Sequence, residues 1–442
     1  MNTDTLPRSQ LLYYSVLAAP VAFAGYPLYV LAPDFYTTQQ GLSLAVLGGV
    51  LLVLRLFDAI QDPWIGYLSD RFKQHSALTM QICGLVLVLA FIAVFHPPAN
   101  HTLAWFCLTM LLAVTAYSVM SINLNSLGAL WTADSQQQTR LNSLRESCAL
   151  VGLLLAVSLP TVLTGLAQQQ QAYRWLALTL AALMLIGLGF FSHWHKKNNV
   201  VLNHSNVDLK KPDFKFTFLS NKTKQFFVMY GLSVLASSIP AVLVIFFVRD
   251  RLASEQQTGL LLLCYFLAAA LSMPLWLKLS RVFGKYRALF MSMLLCIVAF
   301  IWAFFLESGD VCPFALICIG TGASLGAELA LPPSILADHI HHFDTKDHAA
   351  SQFSLLTLLS KLALALASAI ALPLLDWIGF LPAAHNEQQT LLALSAIYAL
   401  LPCGIKLIAA FYLYHFFIRN HGALSNEPSK KTFIDRSCHH VK

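Results

Sequence analysis

The sequence predicts an all-α membrane protein in which twelve transmembrane helices form two pseudo-symmetric six-helix bundles. Composition is the first reason, because 57% of the 442 residues are hydrophobic and only 11% are charged, against roughly 25% charged in soluble domains. The mean hydropathy of +0.65 agrees with this. The second reason is that six apolar runs precede a polar segment near the middle of the chain and six follow it. These features exclude a soluble enzyme or a nucleic-acid-binding protein, although the net charge is +7.

Each apolar run is long enough to cross a bilayer, which takes about 20 helical residues. The runs lie at 11–33, 43–69, 77–96, 103–131, 144–166, 173–194, 223–248, 258–278, 286–306, 311–337, 352–378 and 390–418. The domain organisation we predict is an N-terminal six-helix bundle at 1–194, a cytoplasmic linker at 195–222, a C-terminal six-helix bundle at 223–418 and a cytoplasmic tail at 419–442.

The basic residues predict the orientation of these helices. With both termini in the cytoplasm, 22 of the 28 Lys and Arg residues fall in cytoplasmic segments. The six others are Arg174, Arg249 and Arg251 on the outer side, and Arg55, Lys361 and Lys406 within predicted helices. Basic residues concentrate on the cytoplasmic side of membrane proteins. We therefore expect an integral, multi-pass protein of a bacterial inner membrane, with both termini cytoplasmic.

The segment RLFDAIQDPWIGYLSDR at 55–71 is unusual, because it carries charged residues inside a predicted membrane helix. Positions three and four apart share a helix face, so Arg55, Asp58 and Asp62 form one stripe. A charge at the bilayer centre costs at least about 2.5 to 3.5 kcal/mol, so such a stripe faces protein or water and usually marks an ion or substrate path. The alternative is a structural ion pair between Arg55 and one of the aspartates. That pair would leave one negative charge without a partner.

The two halves of the chain repeat each other after their second helices. The first half has GYLSDRF at 66–72 and the second has PLWLKLSRVFGK at 274–285, and repeated halves are typical of secondary transporters. RLFDAIQDPWIGYLSDR resembles the helix II signature of the glycoside–pentoside–hexuronide:cation symporters, the melibiose-permease branch of the major facilitator superfamily. Further similar segments follow in register: GLSLAVLGG at 41–49, ALWTADSQQQTRLNSLRE at 129–146, LPPSILADHIHHFD at 331–344 and SLLTLLSKLALALA at 354–367.

This resemblance implies the major facilitator fold and assigns the cation-coupling site to Asp58, Asp62 and Lys361. At 1.5 Å per residue, these side chains and Glu328 lie about 10 to 16 Å from the cytoplasmic ends of their helices. We therefore expect them to meet in one layer, with Arg55 and Glu328 as charge partners. Two positive and three negative charges would then leave room for one Na⁺ or H⁺. Hard cations prefer such oxygen ligands, and burial favours the protonated carboxyl.

The sequence also departs from this family. Its sugar permeases carry an acidic residue in helix I and another in helix IV, but here those helices read LAAPVAFAGYPLYV and SVMSINLNSLGALW. The solute could therefore be a glycoside or other carbohydrate, or an amphiphile such as a lysolipid. The possible substrate-pathway residues are Tyr26, Ser121, Asn123, Asn125 and Lys406.

Motifs of enzymes are not found in the sequence: there is no G-x-S-x-G, H-E-x-x-H or phosphate-binding glycine loop. The nine cysteines have no spacing typical of zinc or disulfide frameworks. We predict a cation-coupled symporter that is not an enzyme and needs no cofactor or metal. Its partners would be a small-molecule solute, a coupling cation and the lipid bilayer, without nucleic acid, and we expect a monomer. A membrane sensor that does not transport is the alternative. We interpret the His-rich segment 339–348 as a solvated loop rather than a metal site.

Overall fold

The computed structural model of the protein describes residues 6–98, 100–164, 169–202, 218–381 and 386–419. Over those ranges the regular structure is entirely helical. The spans, numbered in chain order, are α1 (8–38), α2 (Leu44–Arg71), α3 (Ser76–Val94), α4 (Thr102–Trp131), α5 (Ser135–Thr164), α6 (Gln169–Leu202), α7 (Asn221–Arg251), α8 (Thr258–Phe283), α9 (Lys285–Phe305), α10 (Val311–His342), α11 (Ala349–Trp377) and α12 (Gln388–Ile418). The prediction of twelve transmembrane helices is confirmed.

Hydropathy explains eleven of these helices, which are long and apolar enough to cross a membrane within the described ranges. The twelfth is α2, which has 28 residues but carries Arg55, Asp58 and Asp62 in its middle. Its length of about 42 Å still suffices to span a bilayer. Its charged side chains must therefore be accommodated by the neighbouring helices or by water.

The structure describes only part of the chain around the predicted linker and the predicted C-terminal tail. Helix α6 continues to Leu202, eight residues beyond the predicted end of the first bundle at 194. The residues 195–202 contain neither Gly nor Pro, so nothing in them stops the helix at the membrane surface. The rest of the predicted linker up to 217, and the tail from 420 to 442, lie outside the described residues. The domain boundaries therefore stay predictions.

Each half has its own hydrophobic core. In the N-terminal half, the largest fully buried side chains include Tyr14, Phe106 and Trp194 from α1, α4 and α6. In the C-terminal half, Phe226, Phe314 and Phe353 from α7, α10 and α11 are equally buried. Apolar burial within each half, rather than across the interface, accounts for most of the packing. Smaller apolar clusters cross the interface, such as Ile65, Ile122 and Ala350, so relative movement of the halves would disturb these and leave the larger cores buried.

A group of polar contacts between the halves lies at one end of the bundle, which we call the basic end: it holds the connections 72–75, 132–134 and 343–348. There, Asp70 at the end of α2 accepts hydrogen bonds from the backbone N–H groups of Ala350 and Ser351, both at 2.8 Å. The hydroxyl of Ser351 donates a third, at 2.6 Å. Asp70 thus satisfies the free N–H groups at the N-terminus of α11, where a negative charge is also favoured by the helix dipole.

Further bonds between the halves surround this cap. Lys73 forms an ion pair of 3.0 Å with Asp347, and Ser135 donates to Asp338 at 2.8 Å. These and further hydrogen bonds between the halves lie at the basic end and at the depth of Asp58 and Lys361. Polar contacts therefore join the halves at these two levels, and apolar contacts between α5 and α8, such as Leu153 with Phe266, continue further from the basic end.

The His-rich segment contributes to this closed end. Helix α10 extends to His342, and His339 is only 7% exposed, with a ring nitrogen 2.6 Å from the Tyr286 hydroxyl. His341 is 2.6 Å from the carbonyl oxygen of Ala129 in the other half. The expectation of a solvated loop is therefore wrong for His339 and His341. The polar sequence concealed the fact that these positions face other helices.

Small residues let the helices of each half approach closely, and substitution of Gly152 tests this packing. A Cβ at Gly152 in α5 would overlap the backbone carbonyl of Ala19 in α1, and this backbone cannot yield as a side chain would. Gly152→Ala should therefore lower the free energy of unfolding by about 1 to 3 kcal/mol, measured as a lower thermal midpoint of the purified protein.

The matched control is Gly189→Ala in α6, where an added Cβ meets open space. Removing a glycine from a helix favours the helix by up to about 1 kcal/mol, so this variant should be unchanged or more stable. Equal midpoints for the two variants would contradict the close approach of α1 and α5.

Candidate functional site

Asp58, Asp62 and Lys361 meet between the two halves. The Lys361 ammonium donates to Asp58 Oδ1 and to Asp62 Oδ1, each at 2.8 Å. It also lies 2.8 Å from the hydroxyl of Ser118 and 3.0 Å from the backbone carbonyl of Asp58. The two carboxylates are four residues apart on α2, so the helix repeat places both on the face toward α11. Four oxygens thus surround one ammonium group.

A second layer of polar side chains holds Asp58. Tyr29 from α1 donates to Asp58 Oδ2 at 3.2 Å, while Gln61 and Ser118 donate to Oδ1 at 3.0 and 3.1 Å. Gln61 is oriented in turn by the hydroxyl of Thr115, at 2.9 Å. Both carboxylate oxygens of Asp58 therefore have donors. Asp58 is only 4% exposed, and these donors hold its carboxylate in place.

Asp62 is less completely bonded. Its residue is 0% exposed, and Oδ2 accepts no hydrogen bond from the described residues. The nearby hydroxyl of Thr357 donates instead to the carbonyl oxygen of Ser354, at 2.9 Å. Two ionised carboxylates and one ammonium give this cluster a formal charge of −1. A buried site with one excess negative charge and an oxygen without a donor can accept one cation.

The structure does not bring Arg55 and Glu328 to this cluster, which differs from the expected single layer. The side chain of Arg55 is exposed and forms no ion pair within the described ranges. It lies about one turn further from the basic end than Asp58, and a long exposed side chain can keep its charged group hydrated. Glu328 lies at a similar depth but inside the C-terminal bundle. The estimated rise along a helix gives depth, not the direction in which a side chain points.

Glu328 pairs with Lys406 from α12. The ammonium of Lys406 is 2.7 Å from each carboxylate oxygen, and it also contacts the hydroxyl of Ser237 at 2.8 Å. The backbone carbonyl and the hydroxyl of Ser233 are both at 3.1 Å. Lys406 is 2% exposed. This second pair is formally neutral, so it has no charge deficit for a cation to fill.

A cavity of about 580 Å³ opens beside this second pair. Of the predicted pathway residues, Tyr26 and Lys406 line it, whereas Ser121, Asn123 and Asn125 do not. Asn123 donates to Ser69 at 2.8 Å, and Asn125 donates to the carbonyl oxygen of Ser121, also at 2.8 Å. Those amides therefore serve packing and helix contacts in this structure.

Some residues of the site were missed by sequence reasoning. Tyr29 lies one turn after Tyr26 on α1, and Ser118 lies one turn before Ser121 on α4, so each predicted position was one turn away from the side chain that contacts Asp58. Gln61 stands between the two aspartates in the sequence, where its polarity could have been noticed. Asp70 was included in a loop motif, but its role as a cap of another helix requires the tertiary structure.

Two six-helix bundles with an ionisable cluster between them define a secondary transporter. The family comparison makes this more specific. A family model described as MFS/sugar transport protein matches residues 13–420, so the chain belongs to that family of the major facilitator superfamily. It is a secondary transporter and not an enzyme.

Curated relatives agree along most of the chain. The protein named "Uncharacterized symporter YjmB" of Bacillus subtilis (strain 168) is 22% identical over 417 residues, covering 90% of each chain. The "Glucuronide carrier protein homolog" of Escherichia coli (strain K12) is 22% identical and covers 88% of this chain and 87% of its own. The "Putative glycoside/cation symporter YagG" of the same organism is 29% identical over 172 residues, 36% of this chain and 37% of its own.

Solved structures confirm the fold. A bacterial homologue of the iron transporter ferroportin, in its outward-facing state, superimposes with a TM-score of 0.68 at 16% identity, covering 92% of this chain and 98% of its own. FucP in its outward conformation gives a TM-score of 0.65 at 13% identity, with 92% and 99% covered. At these identities the likeness concerns the fold alone.

Replacing Lys361 tests the electrostatics of the cluster. Lys361→Ala leaves two buried carboxylates without their cation, which should lower the free energy of unfolding by about 1 to 3 kcal/mol. That is less than the 3 to 5 typical of fully buried pairs, because the lysine side chain is 22% exposed. In choline chloride, the thermal midpoint of Lys361→Ala should be lower than that of the wild type. Adding NaCl or lowering the pH should raise the midpoint of the variant more than that of the wild type.

The double variant Lys361→Ala, Asp62→Asn is the control, since it removes one charge of each sign. It should recover most of the stability lost by the single variant. If the single variant matched the wild type in both salts, the ammonium would not be coupled to the carboxylates.

Proposed function

We propose that the protein is a cation-coupled symporter, in which Na⁺ or H⁺ moving down its gradient drives uptake of a small organic solute by alternating access. The single observation that carries this proposal is the ammonium of Lys361 held by Asp58 and Asp62. The carboxylates belong to the N-terminal half and the lysine to the C-terminal half. The state of this site is therefore linked to the relative position of the halves.

The coupling follows from competition for the same oxygens. In the absence of a coupling ion, Lys361 neutralises part of the carboxylate charge and ties α11 to α2. A Na⁺ bound to the carboxylates, or a proton on one of them, weakens that tie. At about 4 Å and an effective dielectric near 20, one such charge pair is worth on the order of 4 kcal/mol before desolvation. A change of this size is enough to shift a two-state equilibrium strongly.

The proposed direction of access combines the structure with the positive-inside rule. Placing the basic end in the cytoplasm puts both termini there, and the opposite end of the bundle then faces outward. Solute and cation would enter from outside and leave after the basic end opens. We expect this to occur in a bacterial inner membrane, with a monomer as the working unit because each half supplies part of the coupling site.

The names of the relatives support a glycoside as the solute. One is a putative glycoside/cation symporter, another an isoprimeverose transporter and a third a glucuronide carrier homolog. An amphiphile such as a lysolipid is the second candidate, and the apolar walls of the cavity near Glu328 favour it. Both candidates use the same cation site, so the coupling can be tested before the solute is known in detail.

Asp58→Asn and Asp62→Asn should each abolish accumulation of solute against a gradient, because an amide cannot supply the negative charge that binds the cation. The measurement is uptake of radiolabelled glycosides into proteoliposomes with an imposed Na⁺ or pH gradient. Uphill accumulation should fall to equilibration, a loss of at least about tenfold, while protein levels in the membrane stay near normal.

Asp376→Asn is a matched control, because Asp376 is on α11 but exposed and outside the cluster. It should accumulate solute as the wild type does. Full uphill transport by either Asp58→Asn or Asp62→Asn would overturn the assignment of the coupling site.

A further inference from the structure

We propose that the cavity beside Glu328 and Lys406 binds the apolar aglycone of a glycoside, and in particular an aromatic aglycone that carries a hydrogen-bond donor. This inference rests on the proposed function and specifies its substrate class. It concerns a part of the molecule separate from the cation site, since Asp58, Asp62 and Lys361 are not among the residues that line the cavity.

The walls of the cavity are aromatic and aliphatic. Tyr265, Phe266, Phe300, Phe314 and Tyr398 line it, together with leucine, isoleucine and valine side chains. Its volume of about 580 Å³ lies within the range of small-molecule sites, which are mostly apolar with a few placed polar groups. Aromatic walls favour a flat ring, because rings pack edge-to-face or offset against one another.

The polar end of the cavity offers an acceptor. The ammonium of Lys406 has three N–H groups and five oxygens around it, so the protein already satisfies it. Glu328 Oε1 is different: it is buried and accepts no well-aligned hydrogen bond from the described residues, although Lys406 is close. A hydroxyl group of the ligand can donate to this oxygen. A neutral donor suits the site, because a ligand cation would add a charge to a pair that is already balanced.

The apolar walls of the cavity and the permeability of the bilayer together indicate that the ligand has a polar part as well as an apolar part. A bare sugar in this cavity would lose hydrogen bonds from most of its hydroxyls to water and find apolar walls instead. A mainly apolar alcohol would need no carrier, because it dissolves in the hydrocarbon of the bilayer. A molecule with both parts meets both conditions: the aglycone enters the cavity, and the sugar stays near its mouth.

Residues of the other half stand at that mouth. Tyr26 and Val30 from α1 line the cavity, and Val30 is 50% exposed. The hydroxyl of Tyr26 forms no hydrogen bond within the described ranges, so it is free to bond a sugar hydroxyl. A ligand that bridges α1 and the C-terminal bundle would contact both halves, as a transported solute must.

The experiment compares matched glycosides in equilibrium binding to the purified full-length protein. For glucose, galactose, xylose and glucuronic acid, the methyl, phenyl and 4-hydroxyphenyl β-glycosides are titrated by calorimetry. For at least one sugar, the phenyl glycoside should bind roughly 10- to 100-fold more tightly than the methyl glycoside, from burial of the ring. The 4-hydroxyphenyl glycoside should gain about a further tenfold by donating to Glu328.

Two variants locate this preference. Leu262→Trp fills the cavity from α8 and should abolish the advantage of the aryl glycosides, whereas Leu260→Trp on the same helix should keep it, because Leu260 is 60% exposed and does not line the cavity. The pair Glu328→Leu, Lys406→Met keeps the site neutral, removes the acceptor and should remove only the advantage of 4-hydroxyphenyl over phenyl. This second variant decides the question if Leu262→Trp does not fold.

The outcomes separate the two proposals. Absence of binding by every glycoside, equal binding of methyl and aryl forms, or an aryl preference that survives in Leu262→Trp would each overturn the inference about the aglycone. If methyl glycosides accumulated only when Asp58 is present, and aryl glycosides bound no more tightly, the proposal of cation coupling would stand. Conversely, an aryl preference lost in Leu262→Trp, with uptake that does not depend on Asp58, would refute the coupling alone.

Discussion

The arrangement of the two halves depends on the ammonium of Lys361 between Asp58 and Asp62. These charges lie at membrane depth, where removing them from water is expensive unless every hydrogen-bonding position is used. The structure meets that condition for the lysine, which has four oxygens within 3.0 Å. It does not meet it for Asp62, whose second oxygen lacks a donor in the described ranges. The four contacts of Lys361 therefore stabilise the cluster. The oxygen of Asp62 that lacks a donor leaves room for a cation.

The other contacts between the halves have a different character. Asp70 caps α11, Thr139 and Ser334 share a hydrogen bond of 3.0 Å, and Ser135 bonds Asp338. Hydrogen bonds of this kind contribute about 0.5 to 1.5 kcal/mol each, or up to about 3 when one partner is charged. Several of them hold the basic end closed, yet none involves a hydrophobic core. Opening that end exchanges these polar contacts for water and separates small apolar clusters such as Ile65, Ile122 and Ala350, while the larger cores inside each half stay packed.

Much of the fold and part of the site could be predicted from the sequence. Twelve apolar runs define the helices because membrane spans need length and hydrophobicity and little else. The spacing of Asp58 and Asp62 places them on one face, and the resemblance to symporters adds Lys361. Glu328 was expected in the wrong cluster, because depth along a helix does not reveal which neighbour a side chain faces. The cavity was not predicted at all, since its walls come from separate helices whose apolar residues look like ordinary core in sequence.

The two buried clusters of charged residues differ in net charge and in position. The cluster of Asp58, Asp62 and Lys361 has one negative charge in excess, so a cation can be accommodated there, and it lies where the halves meet. Glu328 and Lys406 cancel each other and lie within one half, so a cation gains little there and no charge at that site ties the halves together. A neutral pair still polarises its surroundings and can orient a ligand hydroxyl. The cation would therefore act at the interface, whereas the solute would be recognised in a cavity formed mainly by the C-terminal bundle and partly by α1 and α5, and the relative motion of the halves would connect the two sites.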